Sequence, residues 1–171
     1  MPHLKTWSAS VIVILLMVAL LIGCANSSGQ NVKQFSMKED VTVGRAIWKV
    51  VKAEKTKEIT GGGGMGAQAE GTFILIELQV KNGASESFML TGIEMEVVDE
   101  MSKRYAFDSK NNSTYLGSLN KDNLVNQNVG PGETAKGWVI FDVEKDAKGL
   151  KLRVHDLDIT SEKTALIDLD M

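Results

Sequence analysis

Alternation of apolar and polar side chains is the feature that most limits the folds open to this chain. In residues 72–81, apolar side chains recur at every second position from Ile74 to Val80, and polar residues separate them in the second half. This period of two is that of a β-strand with one buried face. The first half, from Phe73 to Ile76, is apolar at every position, which indicates burial on both faces. We therefore expect a central strand here.

Similar patterns along the chain predict an all-β fold. Ile93, Met95 and Val97 alternate with acids, residues 150–155 alternate in the same way, and residues 138–143 are apolar on both faces. Short strands separated by turn signals, with almost no helical period, favour an immunoglobulin-like antiparallel β-sandwich. Weaker strands are predicted at residues 41–43, 46–53, 104–107, 126–129 and 165–169.

Two long polar stretches interrupt this pattern. Residues 109–122 are rich in Asn and Ser, with one predicted helical turn at 115–119, and residues 55–71 are rich in glycine. No Gly-Lys-Ser/Thr sequence follows the glycines, so they do not form a phosphate-binding loop. We interpret them as a flexible connector, with a partner-contact loop as the alternative. The candidate contact residues are Gly61, Gly62, Gly63, Gly64, Met65 and Gly66.

The N-terminus has the pattern of a bacterial lipoprotein precursor. An uncharged apolar run of 12 residues, from Val11 to Ile22, follows Lys5. It is short for a membrane span of about 20 residues and fits a secretory signal. The sequence Leu21-Ile22-Gly23-Cys24 resembles the lipobox read by the lipoprotein signal peptidase. We expect cleavage before Cys24 and lipidation of its thiol; an uncleaved anchor and a secreted protein cut elsewhere are the alternatives.

This interpretation divides the chain into three parts. Residues 1–23 are the signal peptide, residues 24–37 the lipidated N-terminus and a flexible tether, and residues 38–171 the sandwich domain. The predicted location is the extracytoplasmic face of the cell membrane or outer membrane. Since Cys24 is the only cysteine, no disulfide is available and the domain must be stabilised by packing.

The charge of the chain excludes some partners. Loss of Lys5 with the signal peptide changes the formal net charge from −3 to −4. No basic run is longer than Lys103-Arg104, so nucleic acid is not an expected partner. A contiguous polybasic segment for anionic lipid is absent from the sequence as well.

Residues suited to catalysis or metal binding do not form a recognisable set. His155 is the only histidine of the mature chain and is expected to be a solvated strand residue. No cofactor, metal site or catalytic residue is predicted, and the protein is not expected to be an enzyme. Four acids could supply calcium ligands, but their spacing does not match an EF-hand, and a solvated charged edge is the preferred interpretation. These acids are Asp156, Asp158, Asp168 and Asp170.

Two tryptophans could form a sugar-stacking platform. Aromatic residues at strand centres more often belong to the core, and a sandwich without a disulfide needs bulky side chains there. We therefore expect both Trp48 and Trp138 to lie in the core.

The order of several motifs resembles a known bacterial family. A Val43-Gly44 pair precedes the strand that carries Trp48, and residues 71–82 read GTFILIELQVKN. A Val-Asp pair at 98–99 precedes Tyr105, and residues 130–152 open with GPGET and contain GWVIFDV. Across residues 38–155, this pattern resembles the secreted telokin-like domains of unknown function, related to the extracellular immunoprotective antigens of mycobacteria. The resemblance implies an immunoglobulin-like sandwich on an exported protein, and it supplies no catalytic residues.

Three hypotheses for function follow. The first is a membrane-anchored, non-enzymatic binding module that contacts another envelope protein or a wall component. The second is a carrier domain for a small ligand or calcium, using the acidic edge. The third is an envelope hydrolase, for which the sequence offers the least support.

Overall fold

The alternating apolar residues form β-strands over most of the chain. The structure is a computed structural model that describes residues 32–60, 66–158 and 160–171. Within these ranges there are eleven strands and one helix, α1 (Ser109–Ser118). The strands are β1 (Gln34–Phe35), β2 (Val41–Val43), β3 (Ala46–Thr60), β4 (Gly66–Asn82), β5 (Phe88–Met89), β6 (Met95–Val98), β7 (Arg104–Ala106), β8 (Asn128–Val129), β9 (Thr134–Val143), β10 (Lys151–His155) and β11 (Thr164–Asp168).

The strands form a β-sandwich, which confirms the predicted fold class. One sheet has five strands in the order β1-β11-β10-β6-β7, the other has four in the order β2-β3-β4-β9, and β5 and β8 form a separate short pair. Every pairing is antiparallel except that of β1 with β11, in which Gln34 lies opposite Leu166. Strand β1 falls within residues 24–37, the span that the sequence assigns to the tether.

The main core lies between the two sheets. It contains Trp48, Ile74 and Phe141 from the four-stranded sheet and Leu152 and Val97 from the five-stranded sheet, all fully buried. Complete burial of a side chain such as Ile or Phe contributes about 1.5–3 kcal/mol. The prediction that Trp48 belongs to the core is confirmed.

A second apolar cluster, here called the outer core, lies on the outward face of the four-stranded sheet. Its buried members are Ile59, Phe73, Leu75, Leu116 and Ile140. They come from β3, β4, β9 and α1, so the helix and the far end of the β3–β4 hairpin cover this part of the sheet. The outer core explains why β4 and β9 are apolar on both faces.

Helix α1 occupies most of the polar stretch 109–122, in which only one helical turn, at 115–119, is predicted. Its C-terminus is a Schellman motif, in which Asn120 has a φ of 52° and the Lys121 amide donates to the Leu116 carbonyl at 2.9 Å. Among the described side chains of the helix, only Asn112 and Leu116 are fully buried. Because so few positions face inward, the segment has no apolar stripe, and its sequence gives no helical period.

The prediction of a long loop at residues 55–71 is also wrong. Strands β3 and β4 remain paired as far as Thr60 and Gly66, with a bulge between Thr56 and Glu58. We call residues 55–60 and 66–71 the arm. Lys, Glu and Gly are weak strand formers, and the arm gains its stability from strand pairing and from Ile59, which is buried in the outer core. The predicted contact residues Gly61, Gly62, Gly63, Gly64 and Met65 lie outside the described residues.

The predicted strand through Ile93 begins two residues later. Gly92 has a φ of 97°, and its carbonyl accepts a hydrogen bond from the Met95 amide at 3.2 Å. Ile93 therefore lies in a turn and is 76% exposed, contrary to the prediction that it points inward with Met95. The other predicted strands are present; β2 has the predicted bounds, and the ends of the rest differ by one to several residues.

A buried asparagine, Asn82, joins the end of the four-stranded sheet to the neighbouring loops by hydrogen bonds. The Asn82 side chain donates to the carbonyls of Val129 (2.9 Å) and Glu86 (2.7 Å), and its oxygen accepts from the Ala84 amide at 2.8 Å. Its main chain bonds to Gly132 and Glu133 on the Gly-Pro-Gly turn. Asn82, the last residue of the GTFILIELQVKN motif, and the turn of the GPGET motif are therefore joined by hydrogen bonds that stabilise the fold.

Candidate functional site

A groove of about 700 Å³ opens where the arm, the start of α1 and the edge of β7 approach the end of β9. We call it the arm groove. Its residues come from four separate segments, so it exists only because the arm and the helix are added to the sandwich. The groove is lined by Ala67, Gln68, Glu70 and Gly71 of the arm, by Lys103, Tyr105, Asp108, Lys110 and Tyr115, and by Asp142, Val143 and Glu144.

The arm leaves the sheet at Gly71 and is held there by Asp142. Pairing of β4 with β9 ends at Thr72 and Val143. The two carboxylate oxygens of Asp142 accept hydrogen bonds from the amides of Glu70 (2.7 Å) and Gly71 (3.1 Å). A Cβ atom at Gly71 would lie 2.0 Å from the Val143 carbonyl oxygen, so this close approach requires glycine.

The main chain of Asp142 faces the groove. Further along β9, the amides of Trp138 and Ile140 point away from β4 and bond to the Asp122 carbonyl (2.7 Å) and the Asn112 side chain (3.1 Å). Since amides in an antiparallel pair alternate in direction, the amide and carbonyl of Asp142 also point away from β4. This places a main-chain donor and acceptor at the arm groove.

The side of the groove formed by β7 rests on a buried carboxylate. One Asp99 oxygen accepts from the amides of Met101 and Lys103, both at 2.9 Å, and the other accepts from the Tyr105 hydroxyl at 3.0 Å. Burial, followed by the hydrogen bond to Asp99 and the charge of that carboxylate, raises the pKa of Tyr105 to about 12. Tyr105 is therefore a neutral donor at physiological pH.

Charged side chains of both signs lie at the opening of the groove. Lys103 forms an ion pair with Glu144 and lies 5.5 Å from the centre of the Tyr105 ring. Glu70 lies on the opposite side and is exposed. The groove thus combines tyrosine rings, ionic groups and a main-chain edge, a combination suited to binding a polar ligand such as a peptide or a glycan.

His155 is not part of the groove. It lies on the outward face of the five-stranded sheet, where its Nε2 is 3.5 Å from Glu96 Oε1. Glu96 also contacts Arg153 (3.1 Å) and Arg104 (3.8 Å). The predicted solvated strand residue is therefore a half-buried member of an ion cluster.

Three of the four acids near the C-terminus, Asp156, Asp158 and Asp168, accept hydrogen bonds from main-chain or hydroxyl groups near them instead of converging. Asp156 is 7% exposed, which corrects its assignment to a solvated edge. The Asp158 side chain bonds to Thr160, and that of Asp168 to the Asp170 amide. Among the described residues, no group of three or more His, Cys, Asp or Glu side chains is arranged to hold a metal ion.

Asp156 joins the two sheets. It accepts hydrogen bonds from the amides of Arg45 (3.2 Å) and Asp158 (3.3 Å), beside Gly44, whose φ is 54°. Burial acts to raise the pKa of Asp156, but hydrogen bonds from Ser161, Arg45 and Asp158 outweigh burial and hold that pKa below its usual value. The Val43-Gly44 motif therefore marks a structural contact.

Trp138 lies outside the main core, contrary to prediction. It is half-buried at the border of the outer core, and the Lys121 ammonium lies 3.1 Å from the centre of its ring. Lys121 also contacts Glu54 at 3.4 Å. The cation covers the exposed ring and occupies the surface that a stacked sugar would need.

Sequence reasoning missed two residues whose hydrogen bonds position the walls of the groove: Asp142, which holds the arm, and Asn112, which holds α1 against β9. Asp142 is the only polar residue between Trp138 and Val143, and a polar side chain in such a run is the signal that could have identified it. Asn112 had no comparable signal, since it lies among other polar residues. Residues 1–31, including Leu21, Ile22, Gly23 and Cys24, lie outside the described residues. In the part of the chain that is described, no helix is long and apolar enough to cross a membrane.

Solved structures with the same fold come from several bacteria. A conserved hypothetical protein from Bacillus anthracis has a TM-score of 0.57 at 18% identity, with 77% of this chain and 94% of that one covered. The secreted protein MPT63 from Mycobacterium tuberculosis has a TM-score of 0.54 at 11% identity, with coverages of 79% and 94%. The candidate lipoprotein ycdA from Bacillus subtilis has a TM-score of 0.51 at 12% identity, with coverages of 77% and 39%. At such identities, these similarities establish the fold alone.

The sequence comparisons identify the family. No curated protein sequence matches the chain significantly. The family model of the domain of unknown function DUF4352 matches residues 35–165. This range includes β2 to β10 completely and β1 and β11 in part. The chain therefore belongs to the DUF4352 family.

Proposed function

We propose that the protein is a lipid-anchored extracytoplasmic lipoprotein and that its domain is a non-enzymatic binding module of the cell envelope. The arm groove is the proposed contact site, and its partner is another envelope protein or a wall component. The observation that carries this proposal is the groove itself: the arm and α1 are additions to the sandwich, and together they enclose a space with tyrosine, ionic and main-chain groups.

Two of the groove carboxylates are engaged within the protein, which supports binding rather than catalysis by these two groups. Both Asp142 oxygens are occupied by amides of the arm, and Glu144 is paired with Lys103. A general acid or base needs an oxygen free to exchange a proton with substrate. The groove carboxylates engaged in this way act as structural groups.

The location is supported by the N-terminal pattern and by the structural neighbours. Leu21-Ile22-Gly23-Cys24 follows an apolar run of signal-peptide length. One neighbour is described as secreted and another as a candidate lipoprotein. A distant kinship with the extracellular immunoprotective antigens is part of the proposal and is supported by the order of motifs in residues 38–155.

Substitution of the lipobox cysteine tests the anchor. Cys24→Ser should abolish cleavage by the lipoprotein signal peptidase and leave the unprocessed precursor, whereas the parent chain should appear as a smaller product that carries diacylglycerol. Mass spectrometry of the membrane fraction distinguishes the two. An unchanged mature mass after the substitution would contradict the lipoprotein assignment.

Site-specific crosslinking tests the groove. A photoreactive residue at Gln68, which is exposed in the groove, should give a discrete adduct in intact cells, whereas one at Glu162 should not. Charge reversal in the groove by Glu70→Lys should remove the adduct, and the matched reversal Glu162→Lys should preserve it. Equal adducts at both positions, or an adduct that persists in Glu70→Lys, would argue against the groove as the contact site.

A further inference from the structure

Three lysines from different strands meet on the outward face of the four-stranded sheet, beyond the outer core. Gln79 pairs with Lys49 on β3 and with Lys136 on β9, and Lys81 follows two residues later on β4. The strand spacing puts Lys49 and Lys136 about 10 Å apart, with Lys81 about 7 Å along β4 from Gln79. We call Lys49, Lys81 and Lys136 the lysine face. The sequence shows no basic run because the fold, not the chain order, assembles them.

Positive charge on this face is only partly neutralised. Asp40 pairs with Lys49 at 2.6 Å, whereas Lys81 and Lys136 are exposed and form no ion pair with any described residue. Asp40, Lys49, Gln79 and Lys81 line a shallow depression of about 200 Å³. Like charges this close on one sheet face repel one another. The lysine face is therefore stabilised by any flat anionic surface placed against it.

The acids nearest to this face have cationic neighbours of their own. In the next row of the sheet, Glu77 lies opposite Lys52, and Glu54 contacts Lys52 at 2.5 Å and Lys121 at 3.4 Å. At the end of the sheet, the Glu133 carboxylate accepts from the Gly130 amide at 2.8 Å. The residues named on and beside this face carry an excess of one positive charge, on a mature chain of net charge −4: the lysines Lys49, Lys52, Lys81, Lys121 and Lys136, against the acids Asp40, Glu54, Glu77 and Glu133.

We propose that the lysine face lies against the anionic lipid headgroups of the membrane that holds the N-terminal anchor. This inference rests on the lipid anchor of the proposed function. The chain enters the four-stranded sheet through residues 38–40, where the Lys38 amide bonds to the Val50 carbonyl and Asp40 borders the lysine face. The first strand after the anchor, β1, pairs with β11 at the edge of the five-stranded sheet, and the chain crosses from there to the border of the lysine face within five residues, from Phe35 to Asp40.

The length of the tether agrees with this arrangement. Nine residues separate Cys24 from Gln34, the first residue of β1, and a chain of this length reaches at most about 30–36 Å even when fully extended. The domain is therefore held close enough for headgroups to contact exposed lysines, whose attraction decays over about 8 Å in physiological salt. Docking on this face leaves the five-stranded sheet turned away from the membrane.

The outward face of the five-stranded sheet is less suited to this role. On this face, Arg153 and Arg104 converge on Glu96 and neutralise a carboxylate of the protein itself. Lys151 lies opposite Asp168 on β11. The outward face of the five-stranded sheet also provides an internal reference for the experiment below. Thr164 lies on that reference face, and Thr134 borders the lysine face.

The experiment uses the mature lipidated protein reconstituted in vesicles, with an environment-sensitive fluorophore on a cysteine introduced at position 134 or 164. Equimolar phosphatidylglycerol and phosphatidylcholine should shift the emission of the label at 134 to shorter wavelength, relative to phosphatidylcholine alone, and leave the label at 164 unchanged. Salt at 1 M, where the screening length is about 3 Å, should abolish the shift. The double variant Lys81→Glu/Lys136→Glu should lose it, and Lys145→Glu/Lys148→Glu, which changes two exposed lysines elsewhere, should keep it.

Several results would overturn the proposal. An unchanged label at 134, or equal loss in both double variants, would show that the lysine face has no special role. A label at 134 that responds to soluble polyglutamate and not to phosphatidylglycerol would assign the face to an anionic polymer instead of the membrane. Protein that fails to float with neutral vesicles would contradict the anchor, and the docking inference with it, whereas flotation without a label response contradicts only the docking.

Discussion

The main core and the outer core differ in how their parts are connected. The main core is enclosed by two sheets, and its side chains come from nearly all the strands. The outer core has five buried members. It lies on the four-stranded sheet, and its other side is covered only by α1 and the arm. Removal of the helix would leave the main core intact and would expose Phe73, Leu75 and Ile140. The difference indicates a stable sandwich that carries a less stable addition, and the arm groove belongs to that addition.

Two buried phenylalanines on neighbouring strands test this difference most strongly. Phe141 lies in the main core and Phe73 in the outer core, and both are fully buried. Phe141→Ala should lower the free energy of unfolding by about 3–5 kcal/mol. Phe73→Ala should cost less, about 2–3 kcal/mol, because α1 can move into the cavity. Urea denaturation measures both values. A larger loss of unfolding free energy for Phe73→Ala than for Phe141→Ala would contradict the inference that the outer core is the less stable of the two.

The close approach of the arm to β9 provides a second test. Gly71→Ala should cost about 2–3 kcal/mol, because its Cβ would meet the Val143 carbonyl and force the backbones apart. The added methyl should also increase amide exchange in residues 66–71 without affecting β10. Retained stability and retained protection of the arm would show that the contact at Gly71 does not hold the arm.

The contact between the two sheets at Asp156 gives a pH-dependent test. Loss of charge-assisted hydrogen bonds in Asp156→Asn should cost about 1.5–3 kcal/mol at neutral pH. Because the folded pKa of Asp156 is lowered, its contribution is complete above the ordinary value of 3.8 and is lost as the pH falls through the folded pKa.

Chemical denaturation of parent and variant at several pH values measures this effect. The difference in stability between the two should therefore shrink below about pH 4. Asp170→Asn, at an exposed carboxylate, is the control and should change little at any pH. A difference that is constant across this range would contradict a stabilising role for the ionised carboxylate.

The smallest predicted effect is a stabilisation of α1, which belongs to the less stable addition. Gly117 lies in α1 without a positive φ, and a Cβ atom added there would have no other atom within 4 Å. Gly117→Ala should stabilise the helix by about 0.5–1 kcal/mol. Thermal unfolding should shift upward slightly, and exchange of the α1 amides should slow. Destabilisation would mean that the exposed surface of the helix is not free.

The sequence predicts the sandwich because its strands follow a local rule. Period-two alternation places Ile74, Ile76 and Leu78 on one face whatever the neighbouring strands are, so the main core can be read from the chain. The outer core follows no such rule. Ile59 and Leu116 are isolated apolar residues in polar segments, and each is buried only because distant parts of the chain meet.

The candidate site was less predictable for the same reason. The arm groove depends on the departure of β4 from β9 at Gly71 and on the start of α1 beside Ile140, both of which are tertiary features. The lysine face likewise combines residues from three strands, so the absence of a basic run in the sequence concealed it. Cys24 depends on a local motif and could be proposed directly from the chain; of the contact residues proposed in the same way, only Gly66 is described, at the start of β4.

Native-state hydrogen exchange of the unmodified domain tests the central claim most directly. If the sandwich carries a separate, less stable addition, the amides of α1 and the arm should exchange together, at a lower opening free energy than those of β10 and the centre of β4. Exchange of all these amides at one common free energy, equal to that of global unfolding, would contradict the account, because the two cores would then open as a single unit.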